Sequence, residues 1–584
     1  MDRETRGRSK AQRAISPFTP GFSAAAPRRA LAVGALVLYA LVVSALAGCG
    51  ASRGKAGDSA KGSAPDSGKP PITLKFFTAD STDDMPFTDP VARAITAKTG
   101  VTLQVEHPLA GDQQAIPLMI ASGQYPDLIY AKGDLALLVA AGAVIPLDGL
   151  IARKGDHLKR LYGDQLPRLR FSPDDPRIYT VGTYGVKQAV WQVDGTMQLQ
   201  HAVLKELGYP KIQTFEDYEN ALRAYIAKYP EINGRKTIGL SLLIDAWQWY
   251  IGLSNPGSYT TGHPDDGQWI IDDESLTARY KFMDEDMDLF YRWLCRLNAE
   301  GLLDPESFTQ KLDVWKAKIA SGRVLGISYP LWGYTDTRAS LINAGMEDRT
   351  YAYLPVVADP GYRAQNLKDP GFTGGWGVAI SSTCADPERA FEFLDWMCSE
   401  EAQILTNWGI KDVNYAIENG KRVVPPAERR RIETDPFYAK NTGVTRWAYP
   451  FPQCGSAWID STGNYITRES PETIRANYLQ AERETLAGYG ATMWTDLFPS
   501  GGELGVSRHG QAWLYQLTPE LNAMVSEADA YVKTSLVNAI LGRPEDFDAA
   551  WLSMRETLIA MGIEEANKAM TKLIRDRVAM WSEE

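Results

Sequence analysis

Between Ile72 and Ala141 the apolar residues change their spacing again and again, and that grammar limits the fold more than any other feature of the chain. Ile72, Leu74 and Phe76 alternate as strand residues do, Val91, Ala94 and Ile95 recur at helical spacing, and Val101, Leu103 and Val105 alternate once more. Ile116 to Ile120 then predicts a helix, DLIY at 127–130 a short strand, and Leu135 to Ala141 another helix. Strands separated by helices bury both faces of an open, largely parallel sheet, so the fold class is α/β. Ligands of such sheets sit beyond the carboxyl ends of the strands. Here that points to the loops Thr78–Asp84 and Ala131–Gly133.

The rest of the chain continues in the same way with more helix. IYTVGTYGVKQAVWQV (178–193) reads as a strand. Thr214 with Asp217 forms a TxxD capping box at the start of a helix. Leu289, Phe290, Trp293, Leu294 and Leu297 share one helical face. GRVLGISYP (322–330) and GFTGGWGVAIS (371–381) read as strands. Asp386 and Pro387 open a helix whose stripe runs through Ala390, Leu394, Met397, Leu405 and Trp408. From about 465 the chain reads as mostly helical, and no internal repeat is apparent.

Upstream, Ala30 to Gly50 carries no charge and follows Arg28 and Arg29. Its length permits a membrane span, but Leu46-Ala47-Gly48-Cys49 places small residues before a thiol and resembles the lipobox of bacterial lipoproteins. Residues 1–48 are then a removable signal peptide, and Cys49 takes the lipid. The alternative is an uncleaved signal anchor with an idle cysteine. Residues 49–71 hold a small, polar, aperiodic stretch that suits a flexible tether.

Removal of residues 1–48 leaves 54 basic against 70 acidic side chains, a net charge of −16. An acidic exported protein is a poor nucleic-acid binder. The remaining cysteines, Cys295, Cys384, Cys398 and Cys454, show no CxxC or zinc spacing and are expected as buried free thiols.

HExxH, GxxxxGK[ST] and GxSxG are absent, and the five histidines lack ligand spacing. Acidic pairs such as Asp83-Asp84, Asp265-Asp266 and Asp272-Asp273 could supply a glycosidase acid and base, but solvated loop carboxylates are the better account of them. No catalytic residue is assigned. More informative are aromatics beside Gly, Pro and polar residues: Tyr184 with Lys187, Trp247 with Trp249 and Tyr250, Tyr329 with Trp332 and Tyr334, and Trp376. A flat ring with a polar edge suits a sugar, which has C–H faces and hydroxyl edges. Lys132 and Lys187 would suit a uronate, although a surface lysine is the commoner explanation of each.

ASGQYPDLIYAKG (121–133), GYPKIQTFEDYENAL (208–222), the 374–410 block beginning GGWGVAIS, and the C-terminal NAILGRPEDFDAAWLSMRETLIAMGIEEANK resemble the family 1 extracellular solute-binding lipoproteins, receptors of carbohydrate ABC transporters. The resemblance covers nearly all of the chain after the signal. It implies a two-lobed periplasmic-binding-protein-like fold with a multi-stranded hinge and extra C-terminal helices. One lobe would hold 72–182 and about 375–495, the other 183–374 and about 496–584, with crossings near Gly182, Gly374 and 490–500.

The resemblance further implies polar ligand contacts from Asp80 to Asp84, an aromatic at Trp332 and a Gly-Trp contact at Trp376. With the aromatic reading this makes Asp80, Asp84, Lys132, Tyr184, Lys187, Trp249, Tyr329, Trp332 and Trp376 the candidate ligand-binding residues. Some relatives carry a calcium loop near 229–236. Here only Glu231 and Asn233 offer side-chain oxygens, fewer than the six to eight ligands calcium takes, so neither metal nor cofactor is expected. The expected function is a lipid-anchored receptor on the outer face of the cell membrane, closing on an oligosaccharide and passing it to ABC permease subunits. A surface-anchored glycan-degrading enzyme and a sugar-sensing lipoprotein without a transporter remain the alternatives.

Overall fold

The computed structural model describes residues 68–80, 85–108 and 114–582. Cys49, the signal peptide, most of the tether and Asp84 lie outside the described residues. Among the described residues no helix is long and apolar enough to cross a membrane.

The N-terminal grammar folds as read. Strands β1 (Ile72–Thr78), β2 (Val101–Glu106) and β3 (Leu128–Tyr130) pair in parallel, with Ile72 opposite Val101 and Phe76 opposite Leu128. The helix Pro90–Thr99 between the first two starts where the Asp89 carboxylate accepts from the Ala92 amide at 2.8 Å and stops at Gly100, whose φ of 71° is open to glycine at little cost. Two later strands complete the sheet: β4 (Thr180–Gly182), and a strand at Gly377–Ile380, numbered β9 in chain order, which lies antiparallel between β3 and β4. Leu74, Phe76, Leu128 and Val378 on one face join Phe391, Leu394, Trp447 and Phe451 in the first lobe's core. The other face packs Phe77, Ile129 and Ala379 against Leu135 and Leu138.

A second sheet is built from β5 (Met197–Gln200), β6 (Ile238–Leu240), β7 (Val324–Ile327) and β8 (Tyr351–Leu354), in the order β8-β5-β7-β6. Around it lies the largest core, in which Trp293 stacks on Phe215 with ring centres 4.4 Å apart. The Thr214 capping box is present in full, since Thr214 accepts from the Asp217 amide while Asp217 accepts from the Thr214 amide. The three C-terminal helices, Pro519–Leu541, Phe547–Ala560 and Ile563–Ser582, pack on this lobe through Val532, Leu536, Leu558 and Ile574. Segment 229–236 is a tight hairpin pairing Glu231 with Lys236, its turn carried by Asn233 (φ 53°) and Gly234 (φ 70°). Among the described residues the four cysteines are unpaired: Cys295, Cys398 and Cys454 are buried and Cys384 is partly so.

Several expectations need correction. The predicted strand 178–193 holds only β4; Thr183 to Thr196 cross between the lobes, and the second lobe's strand begins at Met197. A segment that leaves one sheet and enters another cannot pair continuously with either. It pairs instead with 453–457, Lys187 N donating to Cys454 O at 2.8 Å, and a Cβ on Gly185 would stand 2.6 Å from Gly455 Cα. The helix expected from Asp386 through Trp408 is two helices, Pro387–Met397 and Glu400–Trp408, because the Ser399 hydroxyl accepts from Ala402 N and caps a fresh start. The last crossing comes earlier than 490–500: Ile466 packs in the first lobe's core, whereas Leu486 and Trp494 pack in the second's.

Candidate functional site

The carboxyl ends of β1 and β3 bring Asp80 and Lys132 together. Ala79 N donates to Tyr130 O at 2.9 Å, keeping the two strand ends in step, and Lys132 turns in the left-handed region at φ 52°. Its ammonium forms an ion pair with Asp80 and lies 5.9 Å from the centre of the Trp376 ring. Trp376 stands at the entrance to β9, where its carbonyl accepts from Thr183 N at 3.1 Å, so it is fixed to the first crossing. The preceding Gly374 could not be another residue, because a Cβ there would sit 2.0 Å from the Arg168 carbonyl oxygen.

Trp376 meets Trp513 edge to face at 5.3 Å, and Trp513 meets Tyr184 in the same way at 5.5 Å. Tyr449 donates or accepts at 2.6 Å with Tyr130. Its phenol is pushed far up by burial and by the nearby Asp80 and Tyr184. Asp80, Lys132, Tyr184 and Trp376, four of the expected residues, thus converge in one corner of the first lobe.

The corner continues towards the second lobe. The Tyr184 phenol is pushed up by burial and then by two carboxylates, Asp80 of the first lobe and Asp265 of the second. Asp194, on the first crossing, is pushed up to about 6 by the surrounding protein, with Asp265 and Glu469 adding to the rise and the Trp332 indole opposing it. Asp194, Asp265 and Glu469 all keep contact with solvent while being enveloped by protein, as groups on the walls of a deep cleft are. Beyond them Trp332 stacks on Trp247 with centres 6.2 Å apart and planes 15° from parallel, and both rings are about half exposed, at 54% and 47%.

Other expected residues lie elsewhere. Trp249 is buried in the second lobe's core against Tyr250, so it offers no face to a ligand. Tyr329 is likewise buried, between Trp315 and Trp332, and supports the exposed indole from beneath. Lys187 turns to the Trp458 ring, 4.8 Å away. Asp266 and Asp273 are not solvated loop carboxylates: they clamp the buried His509, with Asp273 Oδ1 2.8 Å from Nδ1 and Asp266 Oδ1 3.1 Å from Nε2.

Sequence reasoning missed Trp513, Tyr449, Asp194 and Asp265 as members of this site. Trp513 follows Gly510 within QAWLY, the same aromatic-near-glycine signal that singled out Trp376. Tyr449, directly before Pro450, carries the related aromatic-beside-proline signal, whereas Asp194 carries none, since only the crossing of distant segments gives it its neighbours.

The family profile for bacterial extracellular solute-binding proteins matches residues 91–410. Lipoprotein LipO of Bacillus subtilis is 26% identical over 407 residues, which cover 65% of this chain and 74% of that one. Among solved structures, the alginate-binding protein AlgQ2 without calcium superposes with a TM-score of 0.62 at 18% identity, covering 87% of this chain and 98% of its own. The substrate-binding protein FusA of S. pneumoniae, an EF-hand mutant in complex with fructo-nystose, gives 0.61 at 16% identity, with coverages of 86% and 99%.

Proposed function

The chain belongs to the bacterial extracellular solute-binding protein family, and on that premise we propose that it is the lipid-anchored receptor of a carbohydrate ABC importer. It closes two lobes around an oligosaccharide on the outer face of the membrane and hands it to the permease, with Cys49 as the anchor. The observation that carries this reading is the run of rings and carboxylates from Trp376, Trp513 and Tyr184 through Asp265 and Asp194 to Trp332 and Trp247. Indole faces suit the C–H faces of sugar rings, and carboxylates accept from hydroxyls. Relatives of the same fold bind glycans by their titles, fructo-nystose for FusA and alginate for AlgQ2.

The charge arrangement favours a neutral glycan over a uronate. Lys132 is already neutralised by Asp80, and Asp194, Asp265 and Glu469 would repel a carboxylate. Closure on the ligand links binding to the angle between the lobes, which lets a permease distinguish loaded from empty receptor.

The test is a thermal-shift panel of neutral, amino and uronic oligosaccharides followed by analysis of the recovered glycan. A neutral oligosaccharide present at a hundred times its Kd stabilises the fold by about 2.7 kcal/mol and comes back intact. No stabilisation by any neutral glycan, or product formed at a catalytic rate, overturns the proposal; the latter outcome would favour the enzyme.

A further inference from the structure

Sharing no residue with the rings of the cleft, the hairpin Trp269–Tyr280 and the last two helices line an open groove of about 850 Å³, within the range of small-molecule sites. Its floor is sealed. Asn567 Oδ1 accepts from Tyr280 N at 2.7 Å and Thr571 Oγ1 from Ala278 N at 2.9 Å, so the helix satisfies the backbone of the hairpin edge.

The walls are basic: Arg279, Arg555, Lys568, Lys572 and Arg575 line it. Glu564 and Asp576 are the carboxylates among the lining residues; Arg279 pairs with Asp284 at 3.1 Å, Lys568 with Glu565 at 3.9 Å and Lys572 with Asp576, which leaves Arg555 and Arg575 as the lining cations that no carboxylate among the described residues holds. Two of the guanidinium groups are held by backbone oxygens and not by carboxylates. Arg555 donates to Met283 O at 3.0 Å and Arg575 to Ser275 O at 2.9 Å. Each keeps its full charge and spare N–H donors in a fixed orientation, which favours binding of an oxyanion. Lys568 and Lys572 stand one helical turn apart on the rim with side chains more than three-quarters exposed.

The geometry points to this groove as an anion site that takes a phosphate ester, presented either by an anionic phospholipid headgroup or by a soluble phosphorylated metabolite. A phosphate offers several acceptor oxygens to the N–H donors of Arg555 and Arg575, and its charge suits two guanidinium groups that no carboxylate neutralises. Near a membrane each such cation adds to attraction for anionic lipid. In a headgroup role the groove would turn the second lobe towards the bilayer, which a tether alone cannot do. The inference does not depend on what the cleft binds.

Two measurements on the full chain test it, and they also separate the sources. Calorimetric titration uses glycerol 3-phosphate; sedimentation uses phosphatidylcholine vesicles with and without one-third phosphatidylglycerol. Binding that falls at least tenfold in the variant K568E/K572E, and again in 0.5 M salt, is expected in one or both. Phosphatidylglycerol-dependent sedimentation lost in the variant assigns a lipid headgroup, whereas glycerol 3-phosphate binding without it assigns a soluble phosphate ester. No binding in either measurement, or binding unchanged in the variant, overturns the proposal. The melting temperature and glycan response of the variant report its folding, and K568Q/K572Q serves if charge reversal unfolds the chain.

Discussion

At the residue scale, His509 shows how a side chain without ligand spacing becomes important through its neighbours. It is fully buried, and the carboxylates of Asp266 and Asp273 outweigh the burial and raise it to about 9. A histidine whose pKa is higher in the folded than the unfolded state adds stability that is complete below about 6.5 and disappears as pH rises through about 9. The amount is on the order of 3 kcal/mol. Thermal melting between pH 7 and 10 should therefore show a midpoint that falls with rising pH, and His509→Gln should remove most of that slope. Asp273 is held well below the usual carboxylate range by His509 and Lys368, so its share is present above about 4 and is lost only in stronger acid.

The tryptophans divide on the same principle of environment. Trp332 is half exposed, so Trp332→Ala should weaken glycan binding about 10- to 100-fold by titration, the loss typical of an aromatic anchor, while barely changing the melting temperature. Trp249→Ala should do the reverse at the level of the fold, costing about 3–5 kcal/mol in denaturant unfolding as a buried large-to-small change.

At the scale of elements, local chemistry explains where helices begin. Thr214 and Asp217 satisfy each other's backbone amides, and Thr214→Ala should cost about 0.5–2 kcal/mol by chemical denaturation, as loss of a cap does. The same chemistry at Ser399 splits a stripe that is continuous in sequence. Ala390, Leu394 and Met397 belong to one helix and Leu405 and Trp408 to the next, yet both helices meet the first lobe's core, so hydrophobic periodicity alone reads them as one. Strand β9 is legible because Gly-Val-Ala-Ile is an apolar run between turn residues; its antiparallel pairing is not, because pairing partners come from residues 128–130 and 180–182.

At the scale of the molecule, the last helix links the lobes. Its body packs on the second lobe through Met570 and Ile574, while Arg577 donates to the carbonyls of Arg170 and Phe171, at 3.0 and 2.6 Å, and Trp581 lies under Arg168 at 4.4 Å. A buried guanidinium bonded to two carbonyls contributes about 1.5–3 kcal/mol. Arg577→Gln should lower stability by that order and, in small-angle scattering of the unliganded chain, give a larger radius of gyration. An unchanged radius would show that this contact does not restrain the lobes.

Taken alone, the sequence determined the α/β class, the loops at the ends of β1 and β3 and the capped helix starts, and it singled out Tyr184, Trp332 and Trp376 among the rings of the candidate site. Each of these is written in residues a few positions apart, where periodicity and capping act. Tertiary structure decided which rings of the aromatic clusters are surfaces and which are core, separating Trp332 from Trp249 and Tyr329. It also placed Asp194, Tyr449 and Trp513 in the site, paired Lys132 with Asp80, and buried His509 between two carboxylates. The physical reason is the same in every case. Burial, pairing and shifted ionisation come from atoms that are hundreds of residues distant along the chain and become neighbours only when the segments cross.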